Sequence, residues 1–158
     1  MPHDALPDLK NTPADPSWKI AIVRSLWHGE CTSALMESAI ATLVHAGVKR
    51  KNILCRETAG SFELPLAALN AFEKNHVDGV IAIGVIVQGE THHAELVADQ
   101  AAAGLMQVQL TVKKPVTFEV LYVDHLKDAV ARSIGKGSKG RLAALTLMSS
   151  LASNGKIH

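Results

Sequence analysis

From Lys19 onward the chain alternates short, β-branched apolar runs with longer stretches whose apolar residues recur every three or four positions. KIAIVRS (19–25) has the pattern of a buried strand. Leu35, Ala39 and Leu43 then follow at helical spacing, and Gly47 suits the helix exit. NILCRE (52–57) is a second strand, less apolar and so suited to a sheet edge. ETAGSFELPLAALNAFEKN turns into a helix in which Pro65 is tolerated only near the first turn. VDGVIAIGVIV is the strongest strand, and its unbroken apolar character implies helices on both faces. A helix from about His92 to Leu110 places Val97, Ala101, Leu105 and Val108 on one face. PVTFEVLYV, opened by Pro115, is a fourth strand, and DHLKDAVARS is a short helix. After the glycine-rich turn GKGSKG a last helix carries Leu142, Leu145, Met148 and Ala152 inward.

This β-α-β-α-β-α-β-α-α order predicts an α/β fold built on an open, four-stranded parallel sheet with right-handed crossovers. Ligands of such sheets bind beyond the carboxyl ends of the strands. Those ends are Ser25 to Gly29, Thr58 to Ser61, Gln88 to His93 and the segment around Tyr122 to Asp124.

At 158 residues the chain suits one compact domain with a sizeable core. Aromatics make up only 4%, so Ala, Val, Leu and Ile must do most of the packing. The formal net charge is +1 with no dense Lys/Arg block, which argues against nucleic-acid binding. Cys31 and Cys55 stand far apart and form no CxxC, so neither a zinc framework nor a disulfide scaffold is expected, and the cytoplasm is the simplest location. No apolar stretch is long enough to span a bilayer. Residues 1–18, with four prolines and no apolar h-region, are expected as an extended arm before a single domain over 19–158, either a free tail or docked on a neighbouring subunit.

The chemistry gathers at the strand ends. In QGETHH a strand ends at Gly89 and a helix begins, leaving unpaired backbone N–H groups around Glu90 to His93 where a phosphate fits, with the Thr91 hydroxyl beside them. A histidine in that first turn meets the positive end of the helix dipole, which favours the neutral imidazole a general base needs. His92 and His93 lie about 100° apart around a helix axis, a poor arrangement for chelating one ion, and HExxH spacing is missing. Trp27 in SLWHGE (25–30) offers a flat face for a heteroaromatic ring, or packs under its own loop. In TAGSFELP (58–65) Glu63 is a ligand contact or, more commonly, a helix N-terminal acid. GKGSKG with Arg132 before it and Lys136 and Lys139 within it is no P-loop, since GxxxxGK(S/T) is missing; solvated surface charge is the default there.

Taken together, these motifs resemble the 6,7-dimethyl-8-ribityllumazine synthase family of riboflavin biosynthesis, over Lys19 to about Leu151. GVIVQGETHHAELVADQAAAGLMQVQL is similar to that family's G-x-x-I-x-G-x-T-x-H motif and long helix, with Gly84, Gly89, Thr91 and His93 in register. AGSFELPLA is similar to P-G-(A/S)-(F/Y)-E-(I/L)-P, and KPVTFEVL to P-V-x-F-G-(V/L)-L. The resemblance implies a flavodoxin-like three-layer sandwich. It also implies condensation of 5-amino-6-(D-ribitylamino)uracil with 3,4-dihydroxy-2-butanone 4-phosphate to 6,7-dimethyl-8-ribityllumazine, phosphate and water, without metal or organic cofactor.

The roles implied are carried over residue by residue. His93 matches the catalytic histidine that shuttles protons during imine formation and phosphate elimination. Gly89, Glu90 and Thr91 match the loop around the butanone phosphate, and Arg132 the phosphate-binding arginine of a neighbouring subunit. Trp27 falls where an aromatic stacks on the pyrimidine. Phe62 and Glu63 match the segment facing the ribityl chain, and Gly60, Ser61, Val85, Ile86 and Val87 are implied as substrate-binding residues with them. Phe118 matches an aromatic contributed across the interface, and Lys139 a lysine near the ring. The family assembles as pentamers, decamers or sixty-subunit shells with sites between subunits; the proline-rich arm resists regular strand pairing and favours a pentamer or decamer here.

Departures stand beside these matches. Leu26-Trp27-His28 replaces R-(F/W)-N, Ala59 replaces proline, Gln88 stands where arginine is common, and His92 where Pro, Ser or Thr is frequent. The turn after Arg132 is one residue short. A non-catalytic riboflavin or lumazine carrier on the same scaffold, with Trp27 stacking on the flavin, is the alternative. A riboflavin synthase of the lumazine-synthase-like type is a third, weaker idea.

Overall fold

A computed structural model of the chain describes residues 13–154, so the first twelve residues of the expected arm and the last four of the chain lie outside the described set. Four parallel strands, β1 (Ile20–Ser25), β2 (Ile53–Thr58), β3 (Gly79–Val87) and β4 (Val116–Val123), form one sheet in the order β2-β1-β3-β4. The helices are α1 (Gly29–Ala46), α2 (Leu64–Asn75), α3 (His93–Val112), α4 (Leu126–Ser133) and α5 (Lys139–Ser153). This is the open parallel sheet that the alternating pattern predicts, in the three-layer, flavodoxin-like α/β arrangement that the family resemblance implies.

The strand sequences explain the order. In β3 every residue but Val87 is buried, which a strand achieves only when it has neighbours on both sides and helices on both faces. β2 exposes four consecutive residues and takes one edge, as its weaker apolar character anticipates. Alternation then splits the core. Ile20, Ile22, Ile81 and Ile83 face α1 and α5, meeting Leu35, Leu43, Leu147 and Met148. Ala21, Val23, Val80 and Ala82 face α2 and α3, meeting Leu64, Phe72 and Leu105. Each fully buried Leu or Ile contributes roughly 1.5–3 kcal/mol through removal from water.

Helix ends follow local chemistry. Gly47 takes a left-handed conformation (φ 115°) after α1 and donates its N–H to the Leu43 and Val44 carbonyls. Pro65 sits in the first turn of α2, where its missing N–H costs nothing. α3 starts one residue after His92 and runs past Leu110 to Val112, closing on a left-handed Lys113. On α5, Leu145 and Met148 are buried as expected, whereas Leu142 and Ala152 are half-buried and Ala144 and Leu147 complete the inward face. Gly140 is required where α5 crosses α1, because a Cβ there would run into the Leu35 backbone. Ahead of β1, Ala14 and Trp18 pack against the α1/α5 side of the core.

Candidate active site

The chain leaves β1 for one side of the sheet and β3 for the other, so the carboxyl ends of these two adjacent strands form the topological switch point. A cleft of about 660 Å³ opens there. Three local structures build it.

The first is the turn after β1. Leu26 N–H donates to the Thr58 carbonyl at 2.9 Å, extending the ladder by one bond. His28 then adopts a left-handed conformation (φ 54°), which reverses the chain into α1 and leaves Trp27 on the outside, 70% exposed. Of the two readings of Trp27, this placement gives the exposed ring and not the packed one. The Thr32 hydroxyl donates to the Ser25 carbonyl at 2.8 Å and holds the turn to the strand.

The second is a single 3₁₀ turn over Ser61–Glu63, leading into α2. Glu63 Oε2 accepts from the Gly60 N–H at 2.9 Å, so this carboxylate closes the turn as a helix-start acid. Gly84 in β3 lets the turn lie on the sheet, since a Cβ there would run into Ser61 Oγ. Gly60 passes beneath the indole: a Cβ on it would lie 3.5 Å from Trp27 Cδ1.

The third is the start of α3, which contributes His93 and Ala94; the loop that leads into it from β3, with Gly89, Glu90 and Thr91, is not among the residues that line the cleft. Gly89, Glu90 and Thr91 are exposed between Val87 and the helix start, and Thr91 Oγ1 accepts from the His93 N–H at 3.3 Å. The two histidines diverge. His93 lines the cleft, whereas the His92 side chain is 92% exposed and its Nδ1 lies 3.4 Å from Glu95 Oε2. Among the described residues, no three His, Cys, Asp or Glu side chains are grouped as a metal site would need.

The cleft thus brings together Trp27, Gly60, Ser61, Phe62, Glu63, Val85, Ile86, Val87 and His93. It adds Gln100, seven residues and about two turns after His93 on α3, a spacing that would have pointed to it. Phe118, Arg132 and Lys139 lie elsewhere. Phe118 is on the edge strand β4, opposite Ala82, and 45% exposed. Arg132 ends α4 exposed, its guanidinium donating to the Asp128 carbonyl at 2.9 Å. Lys139 opens α5, whose N-cap Ser138 accepts from the Gly140 N–H at 3.2 Å.

Two features of β4 escaped the sequence reading. Glu119 stands where the family pattern has glycine, on the strand face opposite to Phe118; burial, opposed by the Lys139 ammonium, pushes its carboxyl up to about 7. Tyr122 donates a hydrogen bond to the Gln88 side chain. An acidic residue in the glycine position was a signal for the first, but the second depends on strand register.

A parallel sheet with an aromatic-rimmed cleft at its switch point and an open helix start beside it defines an α/β protein of the flavodoxin-like, small-ligand-binding class. A family model described as 6,7-dimethyl-8-ribityllumazine synthase matches residues 17–154. Relatives bearing the same description include proteins of Cytophaga hutchinsonii (39% identical over 132 residues, 83% of each chain) and Thermus thermophilus (39% over 129 residues, 81% of this chain and 82% of the relative). A third, from Levilactobacillus brevis, is 40% identical over 135 residues, 85% of this chain and 86% of its own. The chain belongs to the 6,7-dimethyl-8-ribityllumazine synthase family.

Proposed function

We propose that this chain condenses 5-amino-6-(D-ribitylamino)uracil with 3,4-dihydroxy-2-butanone 4-phosphate, releasing 6,7-dimethyl-8-ribityllumazine, phosphate and water in riboflavin biosynthesis. Family membership supports the reaction. The observation that carries its assignment to this cleft is the meeting of Trp27, the 60–63 turn and His93 around one opening; the loop that leads into His93 carries the amides of residues 89–91, which have no acceptor among the described residues.

In this reading the pyrimidine stacks on Trp27 and its ribityl chain runs along Gly60, Ser61, Phe62 and Glu63, with Val85, Ile86 and Val87 as the floor. Gly89, Glu90 and Thr91 hold the butanone phosphate. His93 moves protons as the amine adds to the ketone, water leaves, and the phosphate is eliminated. Most of the acceleration comes from holding two reactants in register, and fixed N–H groups favour the departing phosphate.

Phe118, Arg132 and Lys139 fit as contributions to the cleft of a neighbouring copy, in a homopentamer or a pair of pentamers. The exposure of Phe118 on β4 and of Arg132 near the end of α4, with Lys139 half-buried at the start of α5, supports this. Cys31 and Cys55 are both free, in keeping with a cytoplasmic enzyme. No helix among the described residues is long and apolar enough to cross a membrane.

Mixing the protein with both substrates and following lumazine absorbance and fluorescence tests the proposal. Turnover requiring both substrates is the expected result. Tight riboflavin binding without turnover would replace it with a carrier, and riboflavin formed from lumazine alone would replace it with a riboflavin synthase.

A further inference from the structure

We propose that Gln88 and Tyr122 act as positioning residues that aim the backbone of the 89–91 loop at the phosphate of a phosphate-monoester substrate; this inference rests on the reaction proposed above. Gln88 is the first residue beyond β3, and its backbone N–H continues the ladder to the Val123 carbonyl at 2.8 Å. Its side chain turns onto the loop. Nε2 donates to the Gly89 carbonyl at 3.1 Å and to the Thr91 carbonyl at 3.2 Å, while Oε1 accepts from the Tyr122 hydroxyl. The opposite orientation of the amide would set its oxygen against two carbonyls, so this network settles which end is which.

Planarity of the peptide group transmits the effect. In a trans peptide the C=O of one residue points opposite to the N–H of the next, and no cis bond is present among the described residues. Drawing the Gly89 and Thr91 carbonyls toward Gln88 therefore turns the Glu90 and His92 N–H groups away from it. Neither N–H donates to any protein group among the described residues. With the Thr91 hydroxyl between them, the two amides make an oriented donor set beside the α3 N-terminus.

Tyr122, which lies opposite Ile86 in the β3–β4 register, anchors the glutamine from the adjoining strand. Partial desolvation, and after it the carboxylates of Glu95, Asp124 and Asp99, push the Tyr122 hydroxyl up, so it stays protonated and remains a donor. An arginine at position 88 has no acceptor to offer this hydroxyl, which makes the pairing particular to a chain carrying glutamine there.

Steady-state kinetics on the full chain, with each substrate varied separately, tests the inference, together with calorimetric titration of inorganic phosphate. For Gln88→Leu the KM for the butanone phosphate and the Kd for inorganic phosphate should each rise about tenfold, with the KM for the pyrimidine within about twofold. Tyr122→Phe, which removes one exposed hydroxyl and keeps the fold, should raise the same two constants about threefold. Unchanged phosphate affinity in both variants, or an equal rise for both substrates, overturns the inference. Failure of the wild type to turn over would sink the reaction proposed above, while phosphate titration would still decide the role of Gln88 and Tyr122.

Discussion

The β1/β3 end and the β4 edge differ in what a single chain completes. At the first, Trp27, the 60–63 turn, Val85 to Val87 and His93 converge on one cleft, although they come from positions scattered over 66 residues of sequence. At the second, Phe118, Arg132 and Lys139 lie on β4 and around the α4–α5 turn and take no part in that cleft. Strand order explains the contrast: the switch point lies between β1 and β3, and β4 is an edge. Under the reaction proposed above, the fold finishes the pocket for the ring within one chain and leaves Arg132 and Lys139 for the cleft of another copy.

The largest effect belongs to the cleft. His93→Ala should lower kcat by about 10²–10⁴, the usual worth of a positioned general base, while His92→Ala stays within about twofold. Equal losses would mean that His92, which does not line the cleft, matters as much as His93, which does. Next comes the edge. Arg132→Ala should raise the KM for the butanone phosphate at least tenfold, as loss of a charge-assisted contact does. Coexpressing the Arg132→Ala and His93→Ala chains should then restore part of the activity, since some shared sites would receive both native residues. Mixed assemblies no more active than the single variants would place the two residues in separate sites.

A stability test sharpens the same comparison. Gly140 fixes the start of α5, and with it Lys139, against α1. Gly140→Ala should cost about 1–3 kcal/mol, seen as a lower urea midpoint, because the two helices must separate. An unchanged midpoint would show that α5 is not held there.

The smallest effect is a pH dependence at the edge. Burial, opposed by Lys139, raises Glu119 from an ordinary value of 4.5 to about 7, so the folded chain binds this proton more tightly than the unfolded chain. Its contribution to stability is therefore lost as pH rises from the lower value through the higher. Glu119→Gln should flatten the fall in Tm over that window by a few degrees. Parallel Tm–pH curves would contradict the burial of this carboxyl.

Much of this arrangement was legible in the sequence. The unbroken apolar run of β3 announced the central strand, the weaker β2 announced an edge, and Gly47 and Pro65 marked a helix exit and a helix entry. Each of these signals is local, arising from side-chain alternation or from one backbone conformation. The cleft residues were legible from their motifs, but their convergence required the strand order. Gln88 with Tyr122, and Glu119 with Lys139, were not legible, because each pairing depends on tertiary placement across 34 and 20 residues of chain. Half-burial of Leu142 and Ala152 escaped for a related reason: periodicity marks a helix face but not how far the neighbouring helix covers it.

The central claim is that one cleft joins the two substrates and expels phosphate. Following lumazine formation and inorganic phosphate release together, with each substrate omitted in turn, tests it most directly. The account predicts equal amounts of lumazine and phosphate, and neither product when either substrate is absent. Folded protein that forms no lumazine, or that releases phosphate without the pyrimidine, would contradict it.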